Sequence, residues 1–131
     1  MSTMYSRSAV MMSQAQNALG KVSEDEAYLD IACFETQQAL EFLIKTILQE
    51  NGTAFPKTHD IRFLLELLAE TGLEFDRKDE LEMLADTVTD WEENSRYGKG
   101  VRTSVQTIKR VHNIYYSLNR AFIESQAENN E

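Results

Sequence analysis

An all-α fold, an up-and-down bundle of four to five helices, is what this 131-residue sequence predicts. Three observations carry that expectation. One proline and five glycines leave room for long helices, and the glycines stand where helices are expected to end. Apolar residues recur at three- and four-residue spacing over long windows. Alternating β-branched runs bounded by turns, the mark of strands, are nearly absent.

The first helix is expected over about 4–19, before Gly20, with small and flexible apolar residues (Ala9, Val10, Met11, Met12, Ala15, Ala18, Leu19). The second runs over about 24–51 and ends before Gly52. Ser23 with Glu26 three residues later has the S-x-x-E pattern of a capping box, which satisfies the free N–H groups of a helix start. Its apolar set (Tyr28, Ile31, Ala32, Ala39, Phe42, Leu43, Ile47) is widened by Phe34, Leu40, Ile44 and Leu48, so this helix should be central. Residues 51–57 read as a loop. A third helix follows over about 59–71, with Ile61, Leu64, Leu65 and Leu68 on one face. The fourth spans about 77–95 and carries Leu81, Leu84, Ala85, Val88 and Trp91 between acidic residues. The fifth spans about 101–127, its stripe being Val101, Val105, Ile108, Val111, Tyr115, Leu118 and Phe122. Short connections imply antiparallel neighbours.

The length fits one domain over 1–131 that buries a real core without disulfides or metals. The single cysteine, Cys33, lies in an apolar run and reads as an inert core residue of a reducing compartment. No stretch approaches the roughly 20 apolar residues of a membrane span. The N-terminus lacks the apolar centre of a signal peptide. The expectation is a cytoplasmic protein away from membranes.

Net charge is −9, which taken whole argues against non-specific binding to nucleic acid. The charge is partitioned, however. From Asn94 to Ile123 there is no Asp or Glu, while Arg96, Lys99, Arg102, Lys109, Arg110 and Arg120 fall within that segment. An anion site is therefore sought there. Arg96, Tyr97 and Lys99 precede the fifth helix, and helix starts favour anions. Tyr97 offers a ring for base stacking, and Arg96, Lys99, Arg102, Lys109 and Arg110 offer phosphate contacts. The plainer alternative is a turn made by Gly98 and Gly100, with Tyr97 packed on Trp91 and the cations balancing the acidic fourth helix.

Enzyme signatures are few. There is no P-loop, no G-x-G-x-x-G and no G-x-S-x-G. His59, His112 and Cys33 do not form a zinc set, and no Glu-x-x-His motif suggests a di-iron bundle, so no metal or other cofactor is expected. Gln37, Glu41 and Lys45 are spaced four apart and share one face. They read as a solvated stripe or as a polar seam between helices or subunits, with His59 a helix-start residue bonded to the preceding loop or a general base.

The succession Gln37-Gln38-Ala39-x-Glu41-x-x-x-Lys45, His59-Asp60-Ile61-x-x-Leu64 and Ser95-Arg96-Tyr97 resembles the HEPN domain family, small helical proteins of prokaryotes. The resemblance implies a homodimeric bundle and a small minimal nucleotidyltransferase as partner, commonly as a toxin–antitoxin pair. It also implies a nucleotide or RNA as ligand. Many members are metal-independent RNases that use an Arg followed, after four to six residues, by His. No arginine here has histidine at that spacing. Three readings follow. The first is a dimeric binding module. The second is an RNase toxin with a non-standard site built from Arg110, His112 and Tyr115. The third is a purely structural oligomerisation domain.

Overall fold

The computed structural model describes residues 3–96 and 103–129. Five helices make up the bundle: α1 (Thr3–Leu19), α2 (Ala27–Glu50), α3 (Ile61–Glu70), α4 (Lys78–Arg96) and α5 (Val105–Asn129). The expected all-α bundle is observed, and among the described residues there is no strand.

Helix α2 packs against all four others. Between Thr36 and Leu48 only Gln38 and Phe42 escape burial, which is why its sequence is apolar over so much of its circumference. Ile31, counted in its apolar face, is instead exposed near the N-terminal end, before the helix enters the core. The stripes of the later helices bury as spaced: Ile61, Leu64 and Leu68 of α3; Leu81, Ala85, Val88 and Trp91 of α4; and Ile108, Val111, Tyr115, Leu118 and Phe122 of α5. Cys33 is fully buried, and burial, with Asp30 nearby, pushes its thiol up to about 12.

Side-chain pairings fix the directions. Tyr5 Oη donates to Asn119 (2.7 Å) and Ser8 meets Tyr115 (2.8 Å), so α1 runs against α5. Ile61 N–H donates to Thr89 Oγ1 (3.0 Å) and Arg62 pairs with Asp86 (2.9 Å), so α3 runs against α4. Arg110 pairs with Glu80 (3.1 Å) and Ser117 donates to the Asp76 carbonyl (2.7 Å), so α4 runs against α5. One connection is not a simple reversal. After Gly52, whose φ of +70° closes α2 in the left-handed region glycine favours, the segment 51–60 travels back along α2. Phe55 lies under Lys45, and His59 lies against Glu41, one turn earlier. Helix α3 therefore starts beside the middle of α2.

Two boundaries differ from the sequence reading. The Ser23–Glu26 capping box does not form: Glu26 sits at the N-cap of α2 with no side-chain cap bond. Tight turns occupy 18–25, the helix starts only at Ala27, and Asp25 accepts from the Ala27 N–H at 2.9 Å. Helix α5 begins at Val105 rather than 101, because Ser104 caps it by accepting from the Thr107 N–H at 3.1 Å.

Ile44 of α2 is fully buried at the centre of this core. Ile44→Ala should lose about 2–5 kcal/mol of unfolding free energy in urea titrations, as cavity-forming core truncations do.

Candidate functional site

Two polar regions have chemistry to offer, one inside the bundle and one along α5. The first joins residues singled out in the sequence. Glu41 is 2% exposed, and both its oxygens are taken. Oε1 accepts from Gln37 Nε2 (3.0 Å) and from His59 Nδ1 (2.8 Å), and Oε2 accepts from Lys45 Nζ (3.0 Å). Gln38 Nε2 donates to Gln37 Oε1 (2.8 Å), and Gln37 Nε2 also reaches the His59 carbonyl (3.4 Å). The solvated-stripe reading of Gln37, Glu41 and Lys45 does not hold, because the returning segment 51–60 covers their face. His59 likewise bonds to α2 rather than to the loop before it, and the helix start belongs to Asp60, which accepts from the Phe63 N–H (3.3 Å). With both carboxylate oxygens engaged, this cluster works as a clamp between α2 and the entry to α3.

The second region is α5. Arg110, His112 and Tyr115 point to three different places. The Arg110 guanidinium leans on Glu80 of α4 (3.1 Å), which also holds Arg77 (3.3 Å). His112, 5% exposed, turns inward, its Nε2 lying 2.8 Å from Thr36 Oγ1. Burial pushes its pKa down to about 4, so the ring is neutral at physiological pH. Tyr115 is buried against α1. Ser8 donates its proton to the Ala39 carbonyl (2.6 Å), so the Tyr115 hydroxyl donates to Ser8 (2.8 Å), and burial raises the phenol above its ordinary range. The three groups do not converge on one point.

Lys109 is exposed and has no ion-pair partner among the described residues. It stands at a groove of about 430 Å³ between the end of α1 and the first turns of α5, lined by Gln16, Leu19, Lys109, His112 and Asn113 and closed by Tyr116. Gln16 Nε2 donates to the Tyr116 hydroxyl (2.6 Å) and fixes that wall. Among the described residues no carboxylate lines this groove, whereas Glu74, Asp76 and Glu124 line the cleft of about 490 Å³ on the other side of Tyr116. Arg96 closes α4. Its side chain, with Tyr97, Lys99 and Arg102, lies outside the described residues. The sequence reading left Asn113 and Tyr116 out of the binding set. Their spacing from Lys109, at four and seven residues, was the available signal. Among the described residues no group of His, Cys, Asp and Glu could hold a metal ion, and no helix is long and apolar enough to cross a membrane.

Two outcomes follow from these environments. Glu41→Ala leaves Lys45 buried without its counter-charge and frees His59, and should lower unfolding free energy by about 3 kcal/mol in urea titrations. His112 stays neutral in the fold and gains a proton on unfolding below its ordinary value of 6.5. Its contribution is therefore whole above about pH 6.5 and is lost as pH falls towards 4. Melting temperature should fall more steeply between pH 7 and pH 5 in the native sequence than in His112→Leu.

Compared with known proteins, the chain matches the HEPN domain over residues 10–118, a span from the middle of α1 to the middle of α5. No curated protein and no solved structure matches it. A match over most of the chain, on a five-helix bundle whose clamp is built from the motif residues Gln37, Glu41, Lys45 and His59, makes this protein a member of the HEPN domain family.

Proposed function

We propose that the protein is a nucleotide- or RNA-binding HEPN module that acts as a homodimer beside a minimal nucleotidyltransferase and binds without cutting. The observation that carries the binding is the acid-free groove at the start of α5, with Lys109 at its mouth, in a chain of net charge −9. Arg110 lies next to it on the exposed surface. In this reading Lys109 and Arg110, with Arg96, Lys99 and Arg102 of the preceding joint, contact phosphates. Tyr97 supplies a stacking surface, while Gln16 and Asn113 supply amides for a base edge or sugar. Against cutting stands the state of the α5 imidazole. His112 is neutral, buried and bonded to Thr36, so it is not presented to a ribose hydroxyl. The nucleotidyltransferase and the toxin–antitoxin setting rest on family membership.

The test is anisotropy titration with labelled nucleotides and a short single-stranded RNA, with and without the co-expressed nucleotidyltransferase. Lys109→Ala/Arg110→Ala should weaken binding by about tenfold or more and lower the salt slope by about 1.4, at roughly 0.7 for each single-strand phosphate that is no longer neutralised. If the native protein binds none of these probes in either state, the proposal fails. RNA cleavage by pure protein that disappears in His112→Ala would instead establish the RNase reading.

A further inference from the structure

The groove at the start of α5 has an end as well as a mouth, and Tyr116 is that end. Gln16 holds its hydroxyl (2.6 Å), and its ring meets Tyr115 edge-on, with centroids 5.4 Å apart. Charge changes sign at the same residue. On the near side Lys109 lines the groove, and among the described residues no carboxylate does. One residue beyond Tyr116, Ser117 donates to the Asp76 carbonyl (2.7 Å) and so holds the turn between α3 and α4 against α5. That turn brings Glu74, Asp76 and Arg77 to a cleft which α5 completes with Arg120 and Glu124. Glu74 pairs with Lys78 (3.9 Å) and Arg77 with Glu80 (3.3 Å), which leaves Asp76 and Glu124 against Arg120. Glu124 is also the first carboxylate in the sequence after Glu93.

We propose that the groove takes a nucleotide with phosphate on one side only, either a free nucleotide or the last nucleotide of a single strand. The phosphate lies at Lys109 and the base against Tyr116. These residues are seven apart, about 10 Å along the helix at 1.5 Å per residue, a span that the lysine side chain and one nucleotide cover together. Tyr116 is 45% exposed and fixed in place, so it can serve as a stacking surface. A second phosphate, on the far side of the same nucleotide, would have to pass the ring and enter the cleft, where Asp76 and Glu124 repel it. An internal nucleotide of a strand carries phosphate on both sides and is therefore refused. Selectivity of this kind comes from a repulsive group in the path of the wrong ligand, not from a new contact to the right one. The rest of a bound strand runs back from Lys109 towards the start of α5. The inference rests on the nucleotide- or RNA-binding reading and states which nucleotide the site accepts.

Isothermal titration calorimetry needs no label at a strand end and decides the matter. The full chain, alone and with the co-expressed nucleotidyltransferase, is titrated with four probes: uridine 5′-monophosphate, and one short polyuridine with hydroxyls at both ends, with phosphates at both ends, or closed into a circle. The hydroxyl-ended strand should bind about tenfold or more tightly than the circle and the doubly phosphorylated strand. Asp76→Asn/Glu124→Gln should narrow that gap to about threefold by strengthening the two refused forms, with the melting temperature kept, since both positions are exposed. The monophosphate separates the two accepted sources: binding equal to the hydroxyl-ended strand supports a free nucleotide, and weaker binding supports a strand end. If the circle and the doubly phosphorylated strand bind as well as the hydroxyl-ended one, this inference falls and the binding reading stands. A gap that survives Asp76→Asn/Glu124→Gln unchanged overturns the acidic boundary. If no probe binds in either state, both fall together.

Discussion

A single buried carboxylate organises this bundle. Glu41 sits in the middle of the central helix, where an unpaired charge would cost several kcal/mol, and it is held by donors from Gln37, Lys45 and His59. Two of these come from its own helix, one turn to either side. The third comes from the far end of a loop. The carboxylate therefore dictates where the loop must finish, and with it where α3 starts. The later pairings follow from that placement: Asp60 caps α3, Ile61 meets Thr89, and Arg62 meets Asp86. Well-packed apolar residues in place of the whole cluster could support comparable stability but would not select which loop segment returns along α2. The network contributes register.

The same pairing of buried polar groups runs through the α1–α2–α5 seam. Ser8, Thr36, His112 and Tyr115 are all buried, and each is bonded to another of the four or to a backbone carbonyl. These bonds commit the inward side of α5 to packing. What remains for recognition is the outward side, which changes character along its length. Its first turns are cationic and free of acid, and its later turns pair apolar groups with balanced charge.

The helices themselves were legible because an amphipathic stripe sums a weak signal over many residues, as in Ile61–Leu68 and Ile108–Phe122. Boundaries were less so, because they depend on single bonds. Val101 extends the α5 stripe by one turn on paper, but the Ser104 hydroxyl stops the helix short of it. Ser23 and Glu26 match a capping box, yet tight turns fill 18–25 and the helix starts only at Ala27. Spacing alone placed Gln37, Glu41 and Lys45 on one face. It could not say what covers that face, since the cover is a loop with no periodicity of its own. Nor could spacing show that Arg110 already leans on Glu80, thirty residues away on another helix.

The burial of Cys33 gives the molecule an internal gauge of its own opening. Its thiol has no exposure and is held near 12 by its surroundings, so at neutral pH almost none of it is the reactive thiolate. A thiol reagent can reach it only when α2 parts from its neighbours. Because α2 is the helix that all the others touch, the rate at which the lone sulfur is consumed reports how often the N-terminal part of α2 parts from the bundle.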